Sequence, residues 1–203
     1  MKCLRAISLL GIVQLALLFS HQTHAALSPF GVSLIPPLQF PFSNVDVLGA
    51  RASVIWGSHR SVRGIDVGLI GNISHITFGG IAIAGIFNLN RGTTNIIGLQ
   101  FGGLANINVN KAFVLGIQAT AGINSNQAQS RVVGLQLAGI ANLSAFTQII
   151  GVQVGLFNTA REVYGLQIGI INKADVLHGL QIGLLNFHRQ GLFAICPGIN
   201  FGF

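Results

Sequence analysis

The sequence predicts an all-β protein, namely a repeat-built antiparallel outer-membrane β-barrel of about 10–12 short strands preceded by a signal-peptide helix. Three observations lead to this prediction. Hydrophobic residues make up 51% of the 203 residues and charged residues only 7%, whereas about 25% charged residues is typical of soluble domains. After the N-terminus, no apolar run reaches the ~20 residues of a membrane-spanning helix. A short motif with strand-like alternation recurs along the chain.

The first 25 residues have the pattern of a secretory signal peptide. The start is positively charged at Lys2 and Arg5, residues 6–19 are apolar, and residues 23–25 form a small-residue cleavage motif. We therefore expect an exported protein that is cleaved after residue 25.

The exported chain is predicted to comprise a Pro-containing N-terminal segment at residues 26–46 and a single β-repeat domain at residues 47–203. Pro36, Pro37 and Pro41 argue against a regular central strand in the first segment. The net charge of +7 comes without a basic tract interleaved with aromatic residues, so we expect no nucleic-acid partner. In an exported protein, lipid or polysaccharide phosphate is the expected anionic neighbour.

A repeat accounts for most of this domain, with copies such as GLQFGGLAN at 98–106 and GLQIGIIN at 165–172. Eight copies are spaced by 14 to 18 residues, and their leading glycines are Gly64, Gly80, Gly98, Gly116, Gly134, Gly151, Gly165 and Gly179. Besides their leading glycines, the six best copies share a glutamine and an asparagine, namely Gln100, Asn106, Gln118, Asn124, Gln136, Asn142, Gln153, Asn158, Gln167, Asn172, Gln181 and Asn186. We single out these three residue types as the structural residues of the repeat.

Each copy alternates between large aliphatic and small or polar residues. Leu166, Ile168 and Ile170 point one way, and Gly165, Gln167 and Gly169 point the other. Successive side chains leave opposite faces of a strand, so this pattern predicts strands. A helix would have a mixed stripe and would lose about 1 kcal/mol at each interior glycine.

Two architectures fit this alternation. In a barrel, Ile168 and its neighbours of the same parity face lipid and Gln167 faces the lumen. In the alternative, a β-solenoid with one repeat per coil, the aliphatic face points inward and Asn158, Asn172 and Asn186 stack as a ladder. No charged residue lies inside the six copies from Gly98 to Asn186. We favour the barrel, because a soluble solenoid would have almost no surface charge.

At the C-terminus, Ile195, Ile199, Phe201 and Phe203 share one parity. This ending resembles the terminal strand of bacterial outer-membrane barrels, whose last residue is typically phenylalanine. We therefore expect Phe201 and Phe203 to act as an assembly signal for outer-membrane insertion machinery.

The unit G-aliphatic-Q-x-G-x-x-N resembles the repeat of the leptospiral-type bacterial surface-repeat family. The similarity extends from Val62 to the C-terminus, and the 14-residue copies match best. The resemblance implies a surface or outer-membrane location, and it offers no catalytic residue. Asp66 and Ala82 stand in place of the glutamine, and these departures, like the 18-residue spacing, argue against a uniform coil.

Catalytic, cofactor and metal sites are not expected. No zinc-ligand spacing, nucleophile elbow or phosphate loop occurs after the signal segment, and His178 and His188 are predicted to be turn or interface histidines. A membrane-embedded hydrolase would need Ser58-His59 or Ser74-His75. Adjacent residues on a strand point to opposite faces, so neither pair is placed for catalysis.

The function expected from these observations is that of a non-enzymatic outer-membrane or cell-surface repeat protein of a Gram-negative bacterium, with a structural or small-pore role. The alternative is a secreted β-solenoid adhesion or interaction module, and the membrane-embedded hydrolase is a remote alternative. The expected partners are membrane lipid or lipopolysaccharide and the outer-membrane insertion machinery. The sequence does not identify an external ligand.

Overall fold

The computed structural model describes residues 26–191 and 194–203, so the predicted signal peptide lies outside the described residues. The described chain consists of strands and connections. The strands are β1 (Leu27–Ile35), β2 (Leu38–Phe40), β3 (Asp46–Ser53), β4 (Trp56–Gly68), β5 (Gly71–Ala84), β6 (Phe87–Asn90), β7 (Thr93–Gly102), β8 (Ala105–Asn108), β9 (Ala112–Thr120), β10 (Ile123–Asn126), β11 (Ser130–Ala138), β12 (Ala141–Val154), β13 (Phe157–Ile168), β14 (Ile171–His188) and β15 (Ile195–Gly202).

These strands form a β-solenoid of about ten turns, so the all-β class is confirmed and the predicted barrel is wrong. From β3 to β14, every pair of neighbouring strands is parallel, as in the pairs of β11 with β9 and β12. Only β1–β2 and β14–β15 are antiparallel among the described strands. Parallel stacking brings identical residues together every ~4.8 Å, and this explains why the copies resemble one another.

Each coil has four parts, which the coil beginning near Gly98 illustrates. Strand β7 forms its long face, Gly103 and Leu104 make a two-residue turn that we term the narrow edge, and β8 forms its short face. Residues 109–111 close the coil at what we term the wide edge. In other coils one strand continues across the wide edge from the short face to the next long face, as β4, β5, β12, β13 and β14 do.

The large apolar side chains of the interior form a single column, and the other buried apolar residues are alanines. The column takes one residue from each coil, two positions before the glycine: Val47, Val62, Phe78, Ile96, Val114, Val132, Ile149, Val163 and Leu177. Elsewhere the interior is mostly polar, and among the described residues about twice as many polar as apolar side chains are buried. The usual core of a soluble β-protein is therefore reduced here to one row.

Each end of the solenoid is covered by short or proline-containing strands. At the N-terminal end, β1 pairs in parallel with β3, and the three-residue β2 follows it after Pro36-Pro37. At the C-terminal end, β15 pairs with β14 in the antiparallel direction and contains Pro197. Proline and short length both discourage the pairing of an edge strand with another chain.

Candidate functional site

The repeat residues singled out from the sequence form three columns, of which the glutamine and asparagine columns are buried. The glycine column holds Gly98, Gly116, Gly134, Gly151, Gly165 and Gly179, the glutamine column Gln100, Gln118, Gln136, Gln153, Gln167 and Gln181, and the asparagine column Asn106, Asn124, Asn142, Asn158, Asn172 and Asn186. The structure thus brings like residues of successive coils into contact.

The glutamines form a continuous hydrogen-bonded ladder. The Nε2 of Gln118 donates to Oε1 of Gln100 at 2.8 Å, and each later glutamine donates in the same way to the one before it. Asn200 of β15 extends the ladder by donating to Gln181 at 3.2 Å. Hydrogen bonding satisfies amide groups that would be costly to bury unpaired.

The asparagines form a second ladder, which begins at Asn72 and runs the opposite way. The Nδ2 of each asparagine donates to Oδ1 of the next one along the chain, for example from Asn106 to Asn124 at 2.9 Å. The same Nδ2 also donates to a backbone carbonyl, as from Asn106 to Ala119 at 2.8 Å. This ladder was expected for a solenoid and is confirmed.

All eight leading glycines have a positive φ, and all except Gly98 leave no space for a Cβ atom. Gly134 has φ +125°, and a Cβ atom there would lie 2.2 Å from the carbonyl oxygen of Gly116 in the preceding coil. L-amino acids rarely adopt this φ, and the contact distance is impossible for a real carbon atom. The sequence pattern suggested only that small residues were needed at these positions.

The two departures from the glutamine pattern lie at the position of the column but do not continue the glutamine ladder, whose first link is from Gln118 to Gln100. Arg51, Asp66 and Ala82 occupy the glutamine position in the first coils and stack in register with Gln100. Arg51 and Asp66 form a buried bidentate ion pair, with Nε–Oδ1 2.7 Å and Nη2–Oδ2 2.5 Å. The departure at Ala82 does coincide with a non-uniform coil, as the sequence predicted, because the pairing of β5 with β7 shifts register between Gly80 and Ala82.

A buried histidine completes this N-terminal cluster. The Nη1 of Arg51 lies 3.1 Å from Nδ1 of His59, whose Nε2 lies 3.1 Å from the carbonyl oxygen of Pro41. Burial and the Arg51 guanidinium lower the pKa of His59 to about 4. The ring is therefore neutral at pH 7, donating from Nε2 and accepting at Nδ1. The sequence signal for this cluster was the 15-residue spacing of Arg51 and Asp66, which equals one coil.

The aliphatic residues of the repeat point outward, and this corrects the expectation for a solenoid. Ile168 is 37% exposed, whereas Gln167 beside it is fully buried. The same holds from coil to coil along the long face, with Ile97, Leu115, Ile117 and Leu135 exposed. The inward glutamines satisfy one another in ladders, so the core does not need the aliphatic side chains.

Charged residues lie mainly along the wide edge. Those at or next to this edge are Asp46, Arg60, Arg91, Lys111, Arg131, Arg161, Glu162, Asp175 and Arg189. Of the other described surface charges, Arg63 projects from the long face and Lys173 from the short face. Two exposed apolar residues, Ile76 and Phe146, also lie at the wide edge. The edge has an excess of positive charge.

The solenoid pairs one serine with a histidine of the next coil. The Ser58 hydroxyl lies 2.7 Å from Nε2 of His75, and burial together with Arg91 and Arg51 lowers the pKa of His75. Neither adjacent pair considered above, Ser58-His59 or Ser74-His75, makes this contact. Within the described ranges, no carboxylate hydrogen-bonds to His75, so the third, orienting group of a hydrolase is missing there.

The remaining histidines and the terminal aromatic residues have structural environments. The ring of His178 stacks on Tyr164 at 4.6 Å, and Nε2 of the buried His188 accepts the backbone N–H of Leu177 at 3.1 Å. Phe201 and Phe203 are exposed at the end of β15, Phe203 by 98%. Their role as an assembly signal stays a prediction. Residues 26–191 and 194–203 contain no group of three or more potential metal ligands.

Comparisons with protein families, curated proteins and solved structures found no match for this chain. The resemblance to the leptospiral-type repeat family therefore stays a prediction based on the motif. In the part of the chain that the structure describes, no helix is long and apolar enough to cross a membrane.

Proposed function

We propose that this chain is an exported, non-enzymatic β-solenoid that serves as an interaction module at the outer membrane or cell surface. The observation that supports this proposal is the inverted polarity of the solenoid. Amide side chains fill the interior, while aliphatic side chains such as Ile97 and Leu104 cover the outside. Soluble monomers rarely expose apolar patches larger than a few hundred Å², so this exterior requires an apolar neighbour.

The proposal replaces the expected small-pore role. The interior positions of each coil are occupied by side chains, with Val132 and Gln136 fully buried in one coil and Val114 and Gln118 in the coil before it. Side chains rather than a lumen occupy the space between the two faces. An interior filled with side chains therefore supports an interaction module better than a channel.

The proposal also treats the Ser58–His75 pair as structural. The hydrogen bond joins two successive coils near the N-terminal end, where Gln39 additionally donates to the backbone oxygen of Ser58 at 2.7 Å. A Ser–His pair without an oriented base is a weak nucleophile. We assign these contacts to the attachment of the first coils.

Fractionation of cells that export the full chain tests this proposal. We expect the folded protein in the membrane fraction, resistant to high salt and released by detergent. In a variant with Ile97→Ser, Leu115→Ser and Leu135→Ser, which changes only outward residues of the long face, the membrane-bound share should fall while the β-sheet circular dichroism persists. Recovery of the unmodified protein as a folded, dispersed monomer in the soluble fraction would overturn the proposal.

A further inference from the structure

The two edges of the solenoid differ in chemistry along its whole length. The narrow edge carries a row of aliphatic residues, one from nearly every coil: Ile70, Ile86, Leu104, Ile140, Leu156, Ile170 and Leu184. Leu104 is 61% exposed and Leu184 69%. The wide edge, on the opposite side of the coil, carries most of the basic surface residues and the carboxylates Asp46, Glu162 and Asp175, with an excess of positive charge. The cross-section is therefore amphipathic, with an apolar edge and a cationic edge.

Open grooves run beside the narrow edge. One has a volume of about 590 Å³ and is lined by Leu156, Ile170 and Leu184 together with the glycines that precede them. A second, of about 450 Å³, lies toward the N-terminal end and is lined by Val54, Val67 and Leu69 among others. The small residues leave space between aliphatic rows. These grooves offer apolar walls of the kind that hydrocarbon chains pack against.

The distribution of apolar surface favours a lipid membrane over a second copy of the chain. Exposed aliphatic residues continue from the long face, at Leu135, around the narrow edge at Ile140 to the short face at Leu143. A symmetric partner covers one patch of a surface. A membrane covers both faces and the edge between them at once, and its anionic headgroups complement the basic wide edge.

We propose that the solenoid lies partly embedded in an anionic phospholipid membrane, with its narrow edge among the acyl chains and its wide edge among the headgroup phosphates. This inference rests on the proposed function and gives its partner and orientation. Tyr164 and His178, which stack on the long face next to the wide edge, occupy the interfacial level in this orientation. Amphipathic aromatic side chains favour that level of a membrane.

Depth-dependent fluorescence quenching tests the orientation. Exported protein, purified after cleavage of the predicted signal peptide and carrying Cys196→Ser, receives a single cysteine at Leu104→Cys on the narrow edge or Gln127→Cys on the wide edge, and each is labelled with an environment-sensitive dye. Vesicles of phosphatidylethanolamine and phosphatidylglycerol carry bromine atoms in the acyl chains. We expect strong quenching for the label at 104 and little for the label at 127.

The charge of the wide edge is tested with Lys111→Gln and Arg131→Gln. Each removed charge should weaken partitioning into phosphatidylglycerol-containing vesicles about fivefold, because a basic residue near an anionic surface contributes ~1 kcal/mol. Partitioning into neutral phosphatidylcholine vesicles is the control and should not change.

The outcomes separate this inference from the proposed function. Membrane-bound protein in which both labels are quenched equally, or neither is, overturns the orientation while the proposed function stands. A discrete oligomer that shields the label at 104 and does not bind vesicles overturns the lipid assignment in favour of a second copy. A folded monomer that binds neither vesicles nor itself contradicts both proposals.

Discussion

At the residue scale, the leading glycines set how closely successive coils approach. Gly80 has φ +131°, and a Cβ atom there would lie 2.0 Å from the carbonyl oxygen of Gly64, whereas a Cβ atom at Gly79 would meet nothing closer than 3.9 Å. We expect Gly80→Ala to lower the free energy of unfolding by about 1–3 kcal/mol. Gly79→Ala should be close to neutral. Chemical denaturation in detergent compares the two, and equal effects would contradict the steric explanation.

The polarity of neighbouring side chains gives a second prediction at this scale. Gln136→Leu removes the ladder partner of the Oε1 of Gln118 and of the Nε2 of Gln153, which then keep only the Asn126 amide at 3.1 Å and the Thr159 carbonyl at 3.3 Å, respectively. Each lost hydrogen bond contributes about 0.5–1.5 kcal/mol, so we expect a loss of about 1–3 kcal/mol in the free energy of unfolding.

The exposed residue beside it provides the matched control for this change. Leu135→Gln adds the same amide on the outer face of the same strand, where substitutions usually change stability by less than about 0.5 kcal/mol. If the two variants were equally stable, or if Leu135→Gln were the more damaging, the inverted polarity would be wrong.

At the scale of elements, the sequence predicts the presence of strands more directly than it predicts which face of each strand is buried. The copies at 165–172 and 179–186 predicted strand structure, which is confirmed for 165–168 in β13 and for 179–186 in β14, whereas Gly169 and Ile170 form the narrow-edge turn between these strands. Alternation identifies two faces, but it does not say which one is buried. That choice depends on whether Gln167 finds amide partners at 2.6 and 2.7 Å above and below it. These contacts exist only after parallel stacking, which one strand cannot reveal.

The first coils respond to pH through His59. Its folded-state pKa of about 4 lies below the ordinary value of about 6.5, so the unfolded chain binds more protons between these values. The stability contributed by the neutral ring is present above about pH 6.5 and is lost as the pH falls toward 4, by at most ~1.4 kcal/mol per pH unit.

The comparison with His59→Gln isolates this contribution, because a glutamine can accept from Arg51 and donate to Pro41 without titrating. Denaturation between pH 4 and 7 should show a smaller loss of stability on acidification in this variant than in the unmodified protein. Identical pH profiles would assign the acid sensitivity to other groups, such as His75 or His188, whose pKa values burial also lowers.

At the scale of the whole molecule, contacts are confined to neighbouring coils. Removing residues 151–164 places Gly165 next to Gly134, Gln167 next to Gln136 and Asn172 next to Asn142, which restores all three columns. Repeat proteins tolerate the loss of a whole unit with reduced stability. We expect the shortened chain to fold, with a β-sheet spectrum and a lower denaturation midpoint.

A deletion of nearly the same length is the control. Removing residues 155–166 joins Val154 to Gln167, which then takes the place of Gly155, the small residue at the narrow edge. Asn172 is displaced by two positions from the asparagine column. At that small-residue position a Cβ atom on Gly169 would lie 2.2 Å from the oxygen of Gly155. This variant should not fold, and equal folding of the two deletions would contradict register control by the columns.

The overall architecture was harder to predict than its repeat. Few charges and many aliphatic residues correctly indicate an apolar exterior, and a barrel is the familiar fold with such an exterior. The observation that favours the solenoid is the near-identity of copies such as 165–172 and 179–186, since parallel coils place like residues in one register. The placement of Arg51 opposite Asp66 also indicates parallel coils, because the two oppositely charged residues are one coil apart in the sequence.

The opposite directions of the two amide ladders have an electrostatic consequence. Dipoles aligned head to tail add up, and in an α-helix they leave partial charges at both ends. Here the glutamine amides donate toward the N-terminal end and the asparagine amides toward the C-terminal end. Their macrodipoles therefore oppose each other. A coil can be added without increasing the charge separation between the ends, so electrostatics in a medium of low dielectric constant sets no limit on the length of such a solenoid.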